Sequence, residues 1–177
     1  MKENAKGYAD DDLPLEGIWL DITYMDDYAD FSVNHTTFPD LNGYTDSLHA
    51  NGQKMVVIVD AGISADDPRN KYFVQANAGN KLIKSFIHPD KYNGALSTTV
   101  WPKHTVFLDF MDEGACSIWE QGLSDLHELV GYDGLWLDMN EITAFCDGEC
   151  PNGIDMNAGK TIEKPRDGDE SWFMSYD

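Results

Sequence analysis

Hydrophobic and polar positions along the chain fall into three short apolar runs separated by longer mixed segments. The runs are residues 17–25 (GIWLDITYM), 54–60 (KMVVIVD) and 134–138 (GLWLD). Each is rich in β-branched or aromatic residues and bounded by polar or turn-forming ones, the pattern of a short strand. Alternation along the first run puts Trp19, Asp21 and Thr23 on one face and Ile18, Leu20 and Ile22 on the other. In the second run Ile58 shares a face with Asp60. Two segments follow a helical period instead. One starts near Phe38-Pro39-Asp40, with Pro39 in its first turn and Leu41, Tyr44 and Leu48 on one face, and ends at Asn51-Gly52. The other covers about 113–130, with Asp112 as N-cap and Ile118, Leu123, Leu126 and Leu129 as its buried stripe. Residues 61–104, where Gly, Asn, Pro and Lys are scattered, read as an inserted loop region. Strand, helix, strand, loop, helix, strand predicts an α/β fold on a parallel sheet.

All three runs close on, or pass through, an aspartate: Asp21, Asp60 and Asp138. In a (β/α)₈ barrel the last residues of each strand are delivered to the carboxyl-end face, where active sites are built. Asp21 and Asp60 are spaced by roughly one such unit, and Asp60 and Asp138 by about two, which the inserted region accommodates. The first and third runs share Gly-x-Trp-x-Asp. A strand-end aspartate can equally cap a helix or hold a loop, and a tryptophan two residues earlier can be ordinary core; the threefold recurrence favours chemistry for Asp138 and leaves Asp21 and Asp60 balanced between the two readings. Two rival readings use the same residues. Asp21, Asp60 and Asp138 could together bind a divalent ion in a metal-dependent barrel enzyme, although tryptophans beside the carboxylates speak against it. The chain could also be a noncatalytic carbohydrate-binding remnant.

Composition narrows the field. The chain has 177 residues, is 42% hydrophobic and 25% charged, and carries a formal net charge of −20. That is enough apolar content for a packed core, while the negative field repels phosphate backbones and anionic headgroups, so nucleic acid is not an expected partner. No apolar run approaches the roughly 20 residues needed to span a bilayer. Three cysteines, Cys116, Cys146 and Cys150, leave at least one thiol without a partner in this chain, and the pair in CDGEC could close a small disulfide loop or remain two thiols. No metal site or cofactor is expected. Asn34-His35-Thr36 satisfies the acceptor rule for N-glycosylation and would suit a secreted protein.

At Trp136-Leu137-Asp138-Met139-Asn140-Glu141 the chain resembles the nucleophile signature of glycoside hydrolase family 31, the retaining α-glucosidases, and most closely the lysosomal and intestinal maltase branch. The likeness continues through residues 17–25, 52–60, 100–102 (VWP) and 105–110 (TVFLDF), in the family's order. It implies a fragment of a (β/α)₈ TIM barrel, about strands 2 to 4 with an insertion after strand 3. A lead-in would occupy residues 1–13, the partial catalytic domain 14–150 with its inserted region at about 61–104, and a loop or tail 151–177. The resemblance further implies that Asp138 is the catalytic nucleophile and that Glu141 shapes its surroundings. Asp21 would hydrogen-bond sugar hydroxyls, and Ile58, Trp101, Trp136 and Met139 would form the apolar wall of the subsite. The expected substrate is an α-linked glucose oligosaccharide or polysaccharide. The acid/base residue would lie beyond residue 177 and the other strands in the remainder of the barrel, so the chain alone is expected to be inactive. A lysosomal or secretory setting is implied by the same likeness. The chain departs from the family's pattern at Thr23, usually aspartate, at Ala61 and Leu108, usually proline, and at Lys103, usually glycine.

Overall fold

The computed structural model describes residues 1–65, 70–86, 89–90, 92–141, 144–145 and 149. Their elements in chain order are α1 (Lys2–Asp10), β1 (Gly17–Leu20), α2 (Leu41–Ala50), β2 (Lys54–Asp60), β3 (Gly62–Ser64), α3 (Lys71–Ala78), β4 (Ser97–Val100), β5 (Lys103–Phe107), α4 (Glu113–Val130) and β6 (Gly134–Asp138). They divide into two compact units, one of Met1–Val59 with Leu123–Asp138, the other of Asp60–Gly122 with the residues from Met139 onward.

The first unit is built on a three-stranded sheet in the order β1-β2-β6. β1 runs parallel to β2, with Trp19 opposite Val56 and Leu20 opposite Val57. β6 begins where β2 begins: the backbone N–H of Asp133 donates to the Met55 carbonyl at 2.8 Å. A Cβ on Gly134 would stand 3.5 Å from the Val56 side chain. Alternation then sorts the side chains. Leu20, Met55, Val57 and Val59 lie on one face and are buried, in a core completed by Leu41, Tyr44 and Leu48 of α2 and by Leu126 and Val130 of α4. Trp19, Val56, Ile58, Trp136 and Asp138 lie on the other.

α2 starts close to where the pattern predicts, but after Pro39 rather than on it. Asp40, not Pro39, sits at its border, and the Asp40 carboxylate accepts the N–H of Gly43 at 3.1 Å, so Pro39 precedes the helix rather than opening it. The bounds of α4 match the sequence reading, and Asp112 accepts the N–H groups of Gly114 and Ala115 as its cap. Of its predicted stripe Leu126 is buried and Ile118 and Leu123 are half-buried, whereas Leu129 is exposed; Ala115 and Val130 are buried as well. Leu129 was assigned by spacing alone, and one step along the helix Val130 takes the inward position.

The first apolar run ends as a strand sooner than expected. β1 stops at Leu20, and Asp21 accepts the N–H of Ile22 at 2.7 Å, opening a short 3₁₀ turn over Ile22–Tyr24. A side-chain oxygen beside its own backbone offers a local alternative to the ladder, and that competition ends the strand. Thr23 is therefore not on a strand face with Trp19. Tyr24, fully buried, donates its hydroxyl to the Ile58 carbonyl at 2.8 Å.

The second unit holds an antiparallel sheet in the order β3-β5-β4. Residues 61–104, expected to be loop-like, carry β3, α3, β4 and the start of β5. The strands here are only three to five residues long, too brief for a periodic signal, yet Ile63, Leu82, Val100, Val106, Phe107 and Leu108 are all essentially inaccessible. Gly62 is required by its neighbours: a Cβ there would lie 2.6 Å from the Thr105 methyl and 2.9 Å from a Val100 methyl.

Candidate functional site

The first unit gathers four of the seven predicted site residues. Asp21 follows β1, Ile58 lies near the carboxyl end of β2, and Trp136 and Asp138 stand two residues apart in β6. Asp21 is exposed, Trp136 and Asp138 are half-buried, and Ile58 is buried. β2 lies between β1 and β6, so the two carboxylates flank it from the ends of its two neighbours. Trp19 joins them: its ring centroid is 6.2 Å from that of Trp136, with the planes inclined at 56°. Trp19 is 65% exposed, so an indole rather than a polar group meets solvent on this face. Trp19 was seen in the sequence only as a face-mate of Asp21; the repeated Gly-x-Trp-x-Asp was the available signal that both tryptophans matter.

A wet indole pair beside strand-end carboxylates is an amphipathic surface. It offers apolar contact area to a flat C–H face and hydrogen-bond acceptors to hydroxyls at its edge. The backbone below is held in place. Tyr24 fixes the Ile58 carbonyl, and its own carbonyl accepts the N–H of Asn34 at 2.8 Å, tying the segment after β1 to the carboxyl end of β2. Sequence reasoning missed this anchor, because Tyr24 looked like one more apolar residue in a strand.

At the opposite end of the same sheet Asp133 acts as a clamp. Its carboxylate accepts the Met55 N–H at 2.9 Å, Lys54 Nζ at 2.9 Å and His49 Nε2 at 2.7 Å. The Met55 hydrogen bond, with Lys54 and His49, holds the carboxyl well below the usual carboxylate range despite partial desolvation. His49 is thus the partner that joins α2 to the start of β6.

In the second unit Asp60 is buried at the end of β2, and Trp101 sits in the turn between β4 and β5, edge-on to Phe145 at 5.0 Å between centroids. Met139 adopts a left-handed backbone, φ 54°, directly after β6, and Glu141 is exposed. Cys146 and Cys150 lie outside the described residues, and Cys116 is a half-buried free thiol. Among the described residues no three His, Cys, Asp or Glu side chains group as a metal cluster would require. None of the described helices is long and apolar enough to cross a membrane.

The family described as the glycosyl hydrolases family 31 TIM-barrel domain matches residues 1–171. The chain belongs to glycosyl hydrolase family 31. Among family 31 relatives it is 39% identical over 158 residues to glucoamylase 1 of Candida albicans, covering 85% of this chain and 16% of that protein. It is 35% identical over 148 residues to an alpha-glucosidase of Mucor javanicus, covering 82% of this chain and 16% of that one. Among solved structures, the family 31 alpha-glucosidase of Bacteroides thetaiotaomicron superposes with a TM-score of 0.68 at 27% identity, over 86% of this chain and 24% of that one. The glucosidase II alpha subunit shares the fold, with a TM-score of 0.70 over 81% of this chain and 15% of that one. The chain thus spans about a sixth of the length of these curated relatives and corresponds to part of a TIM barrel.

Proposed function

We propose that these residues form the nucleophile-bearing segment of a retaining α-glucosidase, acting on α-linked glucose oligosaccharides or polysaccharides as part of a longer family 31 enzyme. One observation carries the reading: Asp138 and Asp21 close the two strands flanking β2, on a sheet that presents the Trp19–Trp136 pair to solvent. A retaining glycosidase needs an ionised carboxylate to attack the anomeric carbon, forming a covalent glycosyl-enzyme, and a second carboxyl group to protonate the leaving oxygen. Asp138 takes the first role. The second is filled from elsewhere in the enzyme, so these residues alone do not turn over substrate. Asp21 accepts hydrogen bonds from sugar hydroxyls, while Trp136 and Ile58 contribute the apolar wall. Trp101, Met139 and Glu141 enter this reading through the family signature rather than through geometry.

The test is covalent trapping in a family 31 enzyme that contains these residues. A fluorinated α-glucosyl fluoride, whose glycosyl-enzyme hydrolyses slowly, should leave one sugar on the peptide containing Asp138. The Asp138→Asn variant should show neither adduct nor hydrolysis of an α-glucoside. A sugar found on another carboxylate, or unchanged turnover in the variant, rejects the assignment.

A further inference from the structure

We infer that Asn34 is an N-glycosylation site, accepting an oligosaccharide from a diphosphate-linked lipid donor. Asn34-His35-Thr36 is the one Asn-x-Ser/Thr tripeptide in the sequence, with His rather than Pro in the middle position and Thr rather than Pro following it. The tripeptide alone is weak evidence, because such motifs arise by chance and many lie where no transferase reaches. The fold removes that objection. The motif falls in the connection between β1 and α2, within a single unit, and His35, Thr36 and Thr37 are all exposed, as are Pro39 and Asp40 just beyond. A bulky, solvated branch therefore has room on the carboxyl-terminal side of the acceptor.

The acceptor side chain is also presented in a defined way. Its Oδ1 accepts the N–H of Thr36 at 3.0 Å and of Thr37 at 3.1 Å, an Asx turn that folds the threonine back toward the amide. Its own N–H donates to the Tyr24 carbonyl at 2.8 Å, and its carbonyl accepts the Phe38 N–H at 2.8 Å. Backbone and Oδ1 are thus committed, whereas among the described residues Nδ2 donates to none. That nitrogen is the atom modified. It forms a bond to the anomeric carbon as the anomeric C–O bond to the diphosphate breaks; the electron pair leaves with the lipid diphosphate, and Nδ2 gives up one proton to the transferase. Glycosylation leaves Oδ1 and both of its hydrogen bonds in place, so the fold need not change to carry the sugar.

The experiment is peptide mass spectrometry on the protein from its native source, deglycosylated by an amidase in heavy-oxygen water, which turns a glycosylated Asn into a heavy-oxygen-labelled Asp. The expected result is the label at position 34. A second arm directs the full chain into the lumen of the endoplasmic reticulum and scores total cell protein, so that folding or export does not limit the readout. There the glycan-dependent mobility shift should be present in wild type and in Thr36→Ser, and lost in Thr36→Ala and Asn34→Gln. An unlabelled Asn34 in the native protein, or no shift in the lumenal chain, overturns the inference. Neither arm depends on the assignment of Asp138.

Discussion

In the first unit a carboxylate and an indole do opposite work on one sheet. Asp133, at the amino end, is committed to structure: it binds the Met55 N–H, Lys54 and His49 at once. Its carboxyl is held below the ordinary value by the backbone hydrogen bond first and the hydrogen bonds from Lys54 and His49 after it. A group whose pKa is depressed by folding stabilises the fold above its unfolded value, about 3.9, and that contribution is lost as pH falls through the folded value. Asp133→Asn should therefore cost about 1 kcal/mol at neutral pH, discounted for solvent screening, and the difference from wild type should shrink below about pH 4. Urea unfolding of both proteins across that pH range measures it, and a difference that grows on acidification would contradict the clamp. Trp19, opposite Val56 on the sheet, is mostly exposed, so Trp19→Ala should shift stability by no more than about 0.5 kcal/mol. If the indole grips substrate, the same change in a complete enzyme should lower kcat/KM by about tenfold. A large stability loss with unchanged kcat/KM would make Trp19 a packing residue instead.

The helices and strands separate what a sequence states from what it conceals. α2, β2, α4 and β6 were legible because each is long enough, or apolar enough, to show its period and carries its own punctuation, such as Asn51-Gly52 after α2 or Asp112 before α4. β1 was overextended because ITYM has strand composition, and only the Asp21 side chain, bonding the next N–H, turns it into a 3₁₀ turn. β3, β4 and β5 were hidden by brevity and by polar core residues: Ser97, Thr98, Thr99 and Thr105 are all buried, against the ordinary preference of such side chains. The site was readable to the same depth. Strand-end carboxylates and the Trp-x-Asp repeat announced themselves, whereas the Tyr24 anchor depends on a contact 34 residues away. Element ends also carry one testable cap and one testable strain. Asp40→Ala removes the side-chain cap of α2 and should cost about 1 kcal/mol, while Asp40→Ser should retain most of it. Lys103 opens β5 with φ 69°, a left-handed conformation, where the family pattern has glycine. Lys103→Gly should relieve that strain by more than the entropy that glycine adds to the unfolded chain, a net gain of about 0.5 to 1 kcal/mol. A fall in the unfolding midpoint for Lys103→Gly would mean that contacts of the Lys103 side chain outweigh its backbone.

At the scale of the whole molecule the dominant electrostatic fact is a charge of −20 on 177 residues, with a sequence pI near 4.2. Net charge of one sign repels itself most where it is most concentrated, in the folded state, and so works against folding while keeping the chain soluble. Salt acts on this repulsion and on the ion pairs in opposite directions, and magnitudes decide which wins. The attractive side is small. Lys54–Asp133 and Lys81–Asp112 each have at least one substantially exposed partner, and pairs of that kind are individually weak. The repulsive side is spread over every uncompensated carboxylate, and at low ionic strength it acts over about 30 Å, a distance that shrinks to about 8 Å at physiological salt. Raising sodium chloride from about 10 mM to about 150 mM should therefore raise the midpoint of thermal unfolding, with the greater part of the rise at the low-salt end. The Asp133→Asn variant weighs the two contributions, because it removes one of many negative charges together with the carboxylate that Lys54 and His49 bind. It should gain at least as much from added salt as wild type does, since fewer attractions remain to be screened. A midpoint that falls with salt in wild type but not in the variant would reverse the balance, making the Asp133 clamp outweigh the repulsion of the entire acidic surface.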